Sequence, residues 1–292
     1  IDIRDGTVAP EKNPIKFAPF ISFFPQLIAG PILLAAPKPA NAPATTPPAK
    51  VARTGSNKFP LAPITGPYTV KQIEGFTIVI HNDLLTTHKE LGTKAINLLT
   101  TKLSAISRVV PPATLVKLKT IRIWFERDNL KSKGACYHPN PGWIKANKRH
   151  PGKAHSIEFA HAKNFLAWSR AQPWMVLHEL AHAYHHQFLG FNNPIIIKAY
   201  KAAKAAEKYT SVLHVSGKKK SAYARTNHKE YFAELTEAWF GRNDFYPFVQ
   251  TDVKKYDPAM AKLLPTLWGV QPRPAGKPAK RPTIKPSQDN TK

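Results

Sequence analysis

Residues 172–190 read QPWMVLHELAHAYHHQFLG, and this stretch predicts a helix over 174–189. Pro173 falls in a first helical turn, where its missing N–H costs no hydrogen bond, and Gly190 follows the last apolar residue. The apolar residues recur at helical spacing and would bury one side of the helix: Trp174, Leu177, Leu180, Ala181, Tyr184 and Phe188.

The segment HELAH within this helix has the pattern H-E-x-x-H. His178 and His182 are four residues apart, so both imidazoles can reach one metal ion from consecutive turns. Glu179 is placed to hold a water molecule on that metal. A catalytic zinc site has three protein ligands and one open position, so a third ligand must come from elsewhere in the chain. The alternative is a helix with a solvated polar face and incidental histidines.

A second polar helix face follows in residues 223–234, YARTNHKEYFAE. Thr226 or Asn227 can cap a helix predicted over 228–239. Glu230, Glu234 and Glu237 fall on one face of that helix, at spacings of four and three. Three carboxylates on one face repel each other, which a nearby cation would relieve. The alternative is the charged surface of an amphipathic helix.

Taken together, HELAH and YARTNHKEYFAE resemble the catalytic domain of the lethal factor-like zinc metallopeptidases. This family includes the anthrax toxin lethal factor and bacterial proline-directed endopeptidases. The resemblance covers about residues 173–241, and it implies by position a complete set of site residues. The implied zinc ligands are His178, His182 and Glu230. The other implied residues are Glu179 as general base, Tyr223 as hydrogen-bond donor to the oxyanion, and Glu234 as the carboxylate that orients a liganding histidine.

The same resemblance implies an α+β, zincin-like fold, in which a small mixed sheet packs with the helices that carry the ligands. The implied activity is that of a zinc metalloendopeptidase, with one zinc ion per chain and a protein or peptide as substrate. Two other functions remain open: a basic binding protein with a structural or inactive zinc site, and a zinc hydrolase acting on non-peptide bonds. Glu179 argues against the structural site, which has no use for a base beside its ligand.

The remaining pattern predicts a single α+β domain over 61–270. Strands are predicted at 68–73 and 76–81 around a Glu74-Gly75 turn, and further strands at 121–125 and 156–159. By analogy with zincins, the strand at 156–159 is expected to run along the edge of the cleft. Further helices are predicted at 82–107, 162–168, 194–209 and 258–264.

Both ends of the chain have the composition of extended segments. Residues 1–60 are predicted to be a leader and a Pro/Ala-rich linker, and 271–292 a basic, Pro-rich tail. Residues 17–36 are uncharged, which favours a secretory signal and leaves a membrane anchor as the alternative. The expected location is therefore outside the cell or in its envelope. Residues 22–32 also resemble a stretch of membrane-bound O-acyltransferases, so an artefact of the gene model is a third possibility.

The chain has 43 basic and 18 acidic residues, a formal net charge of +25. This balance favours an anionic surface or acidic substrates as partners, whereas no motif specific for nucleic acid is present. Lys218, Lys219 and Lys220 precede Tyr223, and we expect them to select acidic substrate residues if their loop borders the cleft. The chain is expected to be a monomer.

The sequence also gives predictions for the remaining histidines and for the single cysteine. His185 and His186 are expected to be structural or at the surface, and His228 to point away from the metal. His138 precedes the helix that carries HELAH and is a candidate for the border of the cleft. Cys136 is the only cysteine, so an intrachain disulfide is excluded.

Overall fold

Two antiparallel β-strands begin the described part of the fold. In this computed structural model the described residues are 59–128 and 134–270. Strands β1 (Tyr68–Ile73) and β2 (Phe76–His81) pair over their full length. Glu74 and Gly75 connect them with φ angles of 52° and 80°, the left-handed conformation that tight hairpins favour. The predicted hairpin is confirmed.

Three further strands complete a mixed sheet: β3 (Ile123–Phe125), β4 (Ala135–Tyr137) and β5 (Ile157–Phe159). The strand order is β1-β2-β3-β5-β4, with β2, β3 and β5 parallel and β4 antiparallel to β5. The expectation that residues 156–159 form the cleft edge is therefore wrong. All three residues of β5 are buried between two neighbouring strands, and β4 is the edge strand.

Helices supply most of the remaining described structure. In chain order they are α1 (Lys89–Val109), α2 (Pro112–Leu118), α3 (Pro141–Ala146), α4 (Ala162–Trp168), α5 (Met175–Tyr184), α6 (Pro194–Ala205), α7 (His228–Phe240), α8 (Gln250–Tyr256) and α9 (Pro258–Trp268). Helix α5 continues as a π-helical turn, His185–Leu189. A separate two-stranded ribbon contains β6 (Val212–Leu213) and β7 (Lys219–Lys220).

The helix predicted over 82–107 is interrupted at its start. Residues Asn82–Leu84 form a short 3-10 turn, and α1 begins only at Lys89. A Cβ atom at Gly92 would lie 1.7 Å from the carbonyl oxygen of Leu84, so the turn packs directly on the first turn of α1. Glycine permits this close approach because it has no Cβ atom.

Helices α5 and α7 lie side by side in the interior. Every residue of α5 is buried, as are ten residues of α7. At the end of α7, a Cβ atom at Gly241 would lie 1.8 Å from Cε2 of Trp174, which directly precedes α5. This close packing fixes the two helices against each other and therefore fixes the relative positions of their polar side chains.

The described residues thus form a mixed α+β fold in one compact unit. Within them, no helix has both the length and the apolar character needed to cross a membrane. The leader, linker and tail predicted for 1–60 and 271–292 fall outside the described residues, except for residues 59 and 60. The uncharged stretch at 17–36 is among the segments outside.

Candidate metal centre

Three side-chain atoms from α5 and α7 converge on one point. His178 Nε2 and His182 Nε2 are 3.1 Å apart. Glu230 Oε2 lies 3.2 Å from the first nitrogen and 3.0 Å from the second. All three side chains are buried. The structure therefore brings together the three residues that the sequence analysis assigned as metal ligands.

Local sequence explains how these atoms are positioned. The two histidines lie one turn apart on α5, with side chains on the same face. Asn227 caps α7, where its Oδ1 accepts hydrogen bonds from the backbone N–H groups of Lys229 and Glu230. This cap fixes the first turn of α7 and orients Glu230 towards the histidines.

The three atoms fit a metal ion. Around a tetrahedral zinc ion, neighbouring ligand atoms lie about 3.3 Å apart. The distances between the three atoms in this structure, 3.0–3.2 Å, are close to that value. In the protein alone, burial would lower the pKa of His178, but hydrogen bonds to Glu230 and Glu237 outweigh burial and raise it. Burial would raise the pKa of Glu230, but His182 and His178 hold it below its ordinary value. An ionised carboxylate and two imidazoles are suitable ligands for a divalent cation.

Glu237 holds His178 from the other side of the ring. His178 Nδ1 lies 2.7 Å from Glu237 Oε1, and both side chains are buried. An ionised carboxylate only accepts hydrogen bonds, so Nδ1 carries the proton and donates it. In the neutral ring this leaves the lone pair of Nε2 directed at the metal position.

The orienting contact was expected from Glu234, whereas the carboxylate that contacts His178 Nδ1 is that of Glu237. Glu234 lies close by, with ligand atoms of His178, Glu234 and Glu237 within 4.8 Å of one another. Its Oε2, however, accepts a hydrogen bond from Asn243 Nδ2 at 3.1 Å. Glu237 is seven residues after Glu230, two helical turns, and so lies beside the earlier histidine of α5.

We expect Glu237→Gln to weaken metal binding by about tenfold to a hundredfold, the usual effect of losing a partner of a liganding histidine. Glutamine keeps the size of the side chain but removes the charge that favours a proton on Nδ1. The dissociation constant, measured by competition with a chelator, reports this change without any assay of activity.

Glu234→Gln is the matched control, because it changes the same group one turn away. We expect it to reduce metal affinity less than Glu237→Gln does. Equal losses in the two variants would show that the overall charge of the face matters, rather than the contact with His178 Nδ1.

Glu179 is buried and has an unused oxygen. Among the described residues, no group forms a hydrogen bond with its Oε2. Burial raises the pKa of Glu179 above its ordinary value, although the neighbouring histidines oppose the shift. A buried carboxylate with an unsatisfied oxygen requires an explanation, and a water molecule or ligand at the metal would provide the partner.

Glu179 also lines an open cavity at the candidate metal position. Its lining residues come from α5 and the segment after its π-helical turn, from α7, and from β4 with the loop after it: Cys136, Tyr137, Pro139, Glu179, His182, Phe191, Lys229 and Glu230. Strand β4 therefore forms one wall. Its position is fixed by Tyr137, whose hydroxyl accepts a hydrogen bond from Gln187 in the π-helical turn.

Tyr223 lies just before α7, at the start of a 3-10 turn, Tyr223–Arg225, that packs against this helix. It is half-buried and contacts the hydrophobic core. The cavity lining defined above does not include it, so its role at the oxyanion stays a prediction.

A buried ion-pair network beside the cavity was missed by the sequence analysis. Glu158 accepts hydrogen bonds from His138, Arg149 and Lys153 at 2.6–2.7 Å. Burial would raise the pKa of Glu158, but His138 and Lys153 hold it below its ordinary value. Cys136, His138 and Glu158 have the geometry of a metal-binding group. Because two fixed cations already neutralise Glu158, we interpret the cluster as an ion-pair network.

The other histidines have contacts outside the metal centre. His185 is fully buried against Phe232, and burial lowers its pKa to about 3, so it is a neutral structural residue. His186 Nδ1 lies 2.9 Å from the Tyr137 hydroxyl. His228 Nε2 donates a hydrogen bond to the carbonyl of Phe191 at 2.7 Å, and so points away from the metal position as expected.

Comparison of the chain with protein-family models, with curated proteins and with solved structures finds no match. The site is therefore interpreted from its own residues. Two histidines and a glutamate converge on one point, and a carboxylate oxygen without a hydrogen-bond partner among the described residues lies in the adjoining cavity. These residues can hold a metal ion.

Proposed function

We propose that this protein is a zinc-dependent endopeptidase with a zincin-like fold. One observation carries the proposal. Glu179 has a buried oxygen with no partner among the described residues, in the cavity that His182 and Glu230 also line. A site that only stabilised the fold would close around its metal and would not need this carboxylate.

The donor set supports zinc as the metal. Two imidazole nitrogens and one carboxylate oxygen form a common catalytic zinc site, in which a fourth position stays open. A zinc ion, when bound, would polarise the scissile carbonyl and lower the pKa of water. The protein's own contribution is to hold His178, His182 and Glu230 in a fixed arrangement, with Glu237 behind His178.

Glu179 would carry the proton in the reaction. Its raised pKa brings the carboxylate closer to the pH at which a general base works best. It would accept a proton from the attacking water and later donate it to the leaving amine nitrogen. Tyr223 would donate a hydrogen bond to the developing oxyanion, as the resemblance to lethal factor-like peptidases implies.

The edge strand β4 supports a peptide as the substrate, rather than an ester or an amide outside a peptide. Strand β4 pairs with β5 on one side and forms a cavity wall with Cys136 and Tyr137. An extended peptide can add to an exposed sheet edge through backbone hydrogen bonds. This arrangement would lay a peptide bond across the metal position.

Metal content and cleavage of a diverse peptide library test the proposal together. We expect about one zinc per chain, cleavage within peptides, loss of cleavage on chelation, and recovery when zinc is returned. A protein that holds zinc firmly but cleaves no peptide would favour one of the alternatives, the basic binding protein or the hydrolase of non-peptide bonds.

We expect Tyr223→Phe to lower kcat by about tenfold to a thousandfold, with KM and zinc content nearly unchanged. The hydroxyl would act only on the oxyanion that forms in the transition state, so its loss leaves substrate binding intact. Steady-state kinetics on one peptide measure the effect.

Tyr200→Phe is the control for this variant. Tyr200 donates a hydrogen bond to the Arg225 carbonyl, in the same turn as Tyr223. Its loss would disturb the turn without removing the proposed donor. If both variants lose the same activity, or if Tyr223→Phe keeps the wild-type rate, Tyr223 is a packing residue.

The location and assembly of the protein are also proposals. We expect the protein to act as a monomer. The net charge of +25 favours acidic substrates or an anionic surface, and the uncharged stretch at 17–36 favours export.

A further inference from the structure

Lys229 is the only lysine or arginine among the eight residues that line the cavity. It is half-buried, and its Nζ lies 4.3 Å from the centroid of the Phe191 ring, which lines the same cavity. A cation at this distance is attracted to the face of the ring. The ammonium group therefore lies beside the Phe191 ring at the cavity wall.

The two residues connect the segments that carry the metal ligands. Phe191 follows the π-helical extension of α5, and Lys229 directly precedes Glu230 on α7. His228 donates a hydrogen bond to the Phe191 carbonyl, and Asn227 caps the backbone at Lys229. The backbone at Phe191 and Lys229 is thus held by the same elements that carry the candidate ligands.

Among the described residues, no carboxylate forms an ion pair with Lys229. Glu230 lies on the same cavity wall, but its Oε2 faces the two histidines. A half-buried cation gains most from a partner that is also shielded from solvent, such as a ligand carboxylate in the cavity.

We propose that Lys229 binds a carboxylate of the substrate close to the scissile bond, so that the protein prefers acidic peptides. This inference rests on the proposed endopeptidase function and adds a substrate class to it. It replaces the expectation for Lys218, Lys219 and Lys220, which are exposed around the β6–β7 ribbon, whereas the cation in the cavity is Lys229.

Pairs of peptides that differ at one position test the inference. Each pair carries Glu or Gln at one site, and the site is moved through the three residues on either side of the scissile bond. At one site we expect wild-type kcat/KM to be roughly tenfold higher for Glu, the effect of one charge-assisted contact. Lys229→Met keeps the apolar stem and should bring the ratio close to one.

Lys254→Met is the matched control. Lys254 Nζ also lies over an aromatic ring, Trp239, at 5.7 Å, but it is an exposed residue of α8. We expect this variant to keep the wild-type preference for Glu. If it loses the preference as fully as Lys229→Met does, the total charge of the protein attracts acidic peptides and the assignment to Lys229 is overturned.

Peptides without an acidic side chain show whether Lys229 binds the C-terminal carboxylate or a side-chain carboxylate. If Lys229 binds a terminal carboxylate, the free acid is cleaved faster than the C-terminal amide, and only by proteins that retain Lys229. A preference for internal Glu assigns the contact to a side chain. If the wild type shows neither preference, the inference is overturned.

Binding measurements separate this inference from the proposed function. Glu179→Gln should hold peptides without cleaving them, so the dissociation constants of a Glu and a Gln peptide can be compared with and without Lys229→Met. If the wild type cleaves no peptide but Lys229-dependent binding of the Glu peptide persists, the peptidase proposal fails and the carboxylate site stands. If cleavage occurs without any effect of Lys229, only the carboxylate site fails.

Discussion

Replacing Glu179 with glutamine is expected to reduce peptide hydrolysis by about a hundredfold to ten-thousandfold, the range for losing a general base. The structure indicates why this residue is suited to the role. Glu179 is buried in the metal helix, and burial raises its pKa above the ordinary value. Its Oε2 lacks a hydrogen-bond partner among the described residues, so the group is placed to receive a proton.

Glutamine is nearly the same size as glutamate and can still form a hydrogen bond to water. It cannot accept the proton, so the variant separates proton transfer from the positioning of water. Because Glu179 is not one of the three converging ligands, we expect zinc content to stay at the wild-type level. The melting temperature should change little, since no hydrogen bond to Oε2 is lost.

Kinetics with one peptide, zinc analysis and thermal denaturation are measured on the same preparation. Glu90→Gln is the control, because it makes the same substitution at an exposed residue that pairs with Lys94 on α1. Wild-type activity in Glu179→Gln would exclude the proposed mechanism, whereas loss of zinc together with activity would reassign Glu179 to the metal site.

The two histidines of the candidate metal centre were predictable from sequence because their geometry is local. His178 and His182 need only the spacing of a helix to meet, and their helix has its apolar stripe and flanking Pro and Gly. Glu230 was different. Spacing placed three glutamates on one face, and the resemblance to a known family was needed to choose among them.

Glu237 could not be assigned to His178 because that contact depends on how α5 and α7 pack. Sequence spacing shows which residues share a face of a helix, but it does not show which of them lies opposite a given residue of the neighbouring helix. In the structure the later glutamate meets the earlier histidine, and close packing of Gly241 against Trp174 sets this register. Tertiary contacts of this kind leave no periodic signal.

The edge strand was missed for a related reason. Strand β4 has three residues, and it lies in a stretch of Gly, Cys and Pro without alternation. Its conformation comes from pairing with β5, rather than from its own propensity. The cavity wall, the ion-pair network around Glu158 and the cation at Lys229 all depend on contacts between distant segments.

Replacing Glu230 with alanine is expected to reduce zinc affinity by more than the hundredfold or so that follows loss of an outer partner, because it removes a ligand itself. Glu230 Oε2 is the only oxygen in the converging group and the only ligand that carries a negative charge. The variant leaves two imidazoles, which would no longer be held together by a carboxylate.

Thermal denaturation with and without added zinc measures this loss independently of activity. A ligand that binds only the folded state stabilises it by about 2.7 kcal/mol at a hundredfold excess over its dissociation constant. Wild-type protein should therefore melt at a higher temperature when zinc is added. In Glu230→Ala the zinc-dependent shift should be largely lost at the same concentration, and peptide cleavage should be lost with it.

Glu234→Ala, one turn further along α7, provides the comparison that makes the result specific. Both residues are buried carboxylates on one face of the same helix, but Glu234 contacts Asn243 and does not belong to the converging group. We expect this variant to lose some stability and to retain most of its zinc-dependent shift. If Glu230→Ala binds zinc as tightly as the wild type while Glu234→Ala does not, the third ligand is Glu234. The ligand geometry would then have to rearrange when the metal binds.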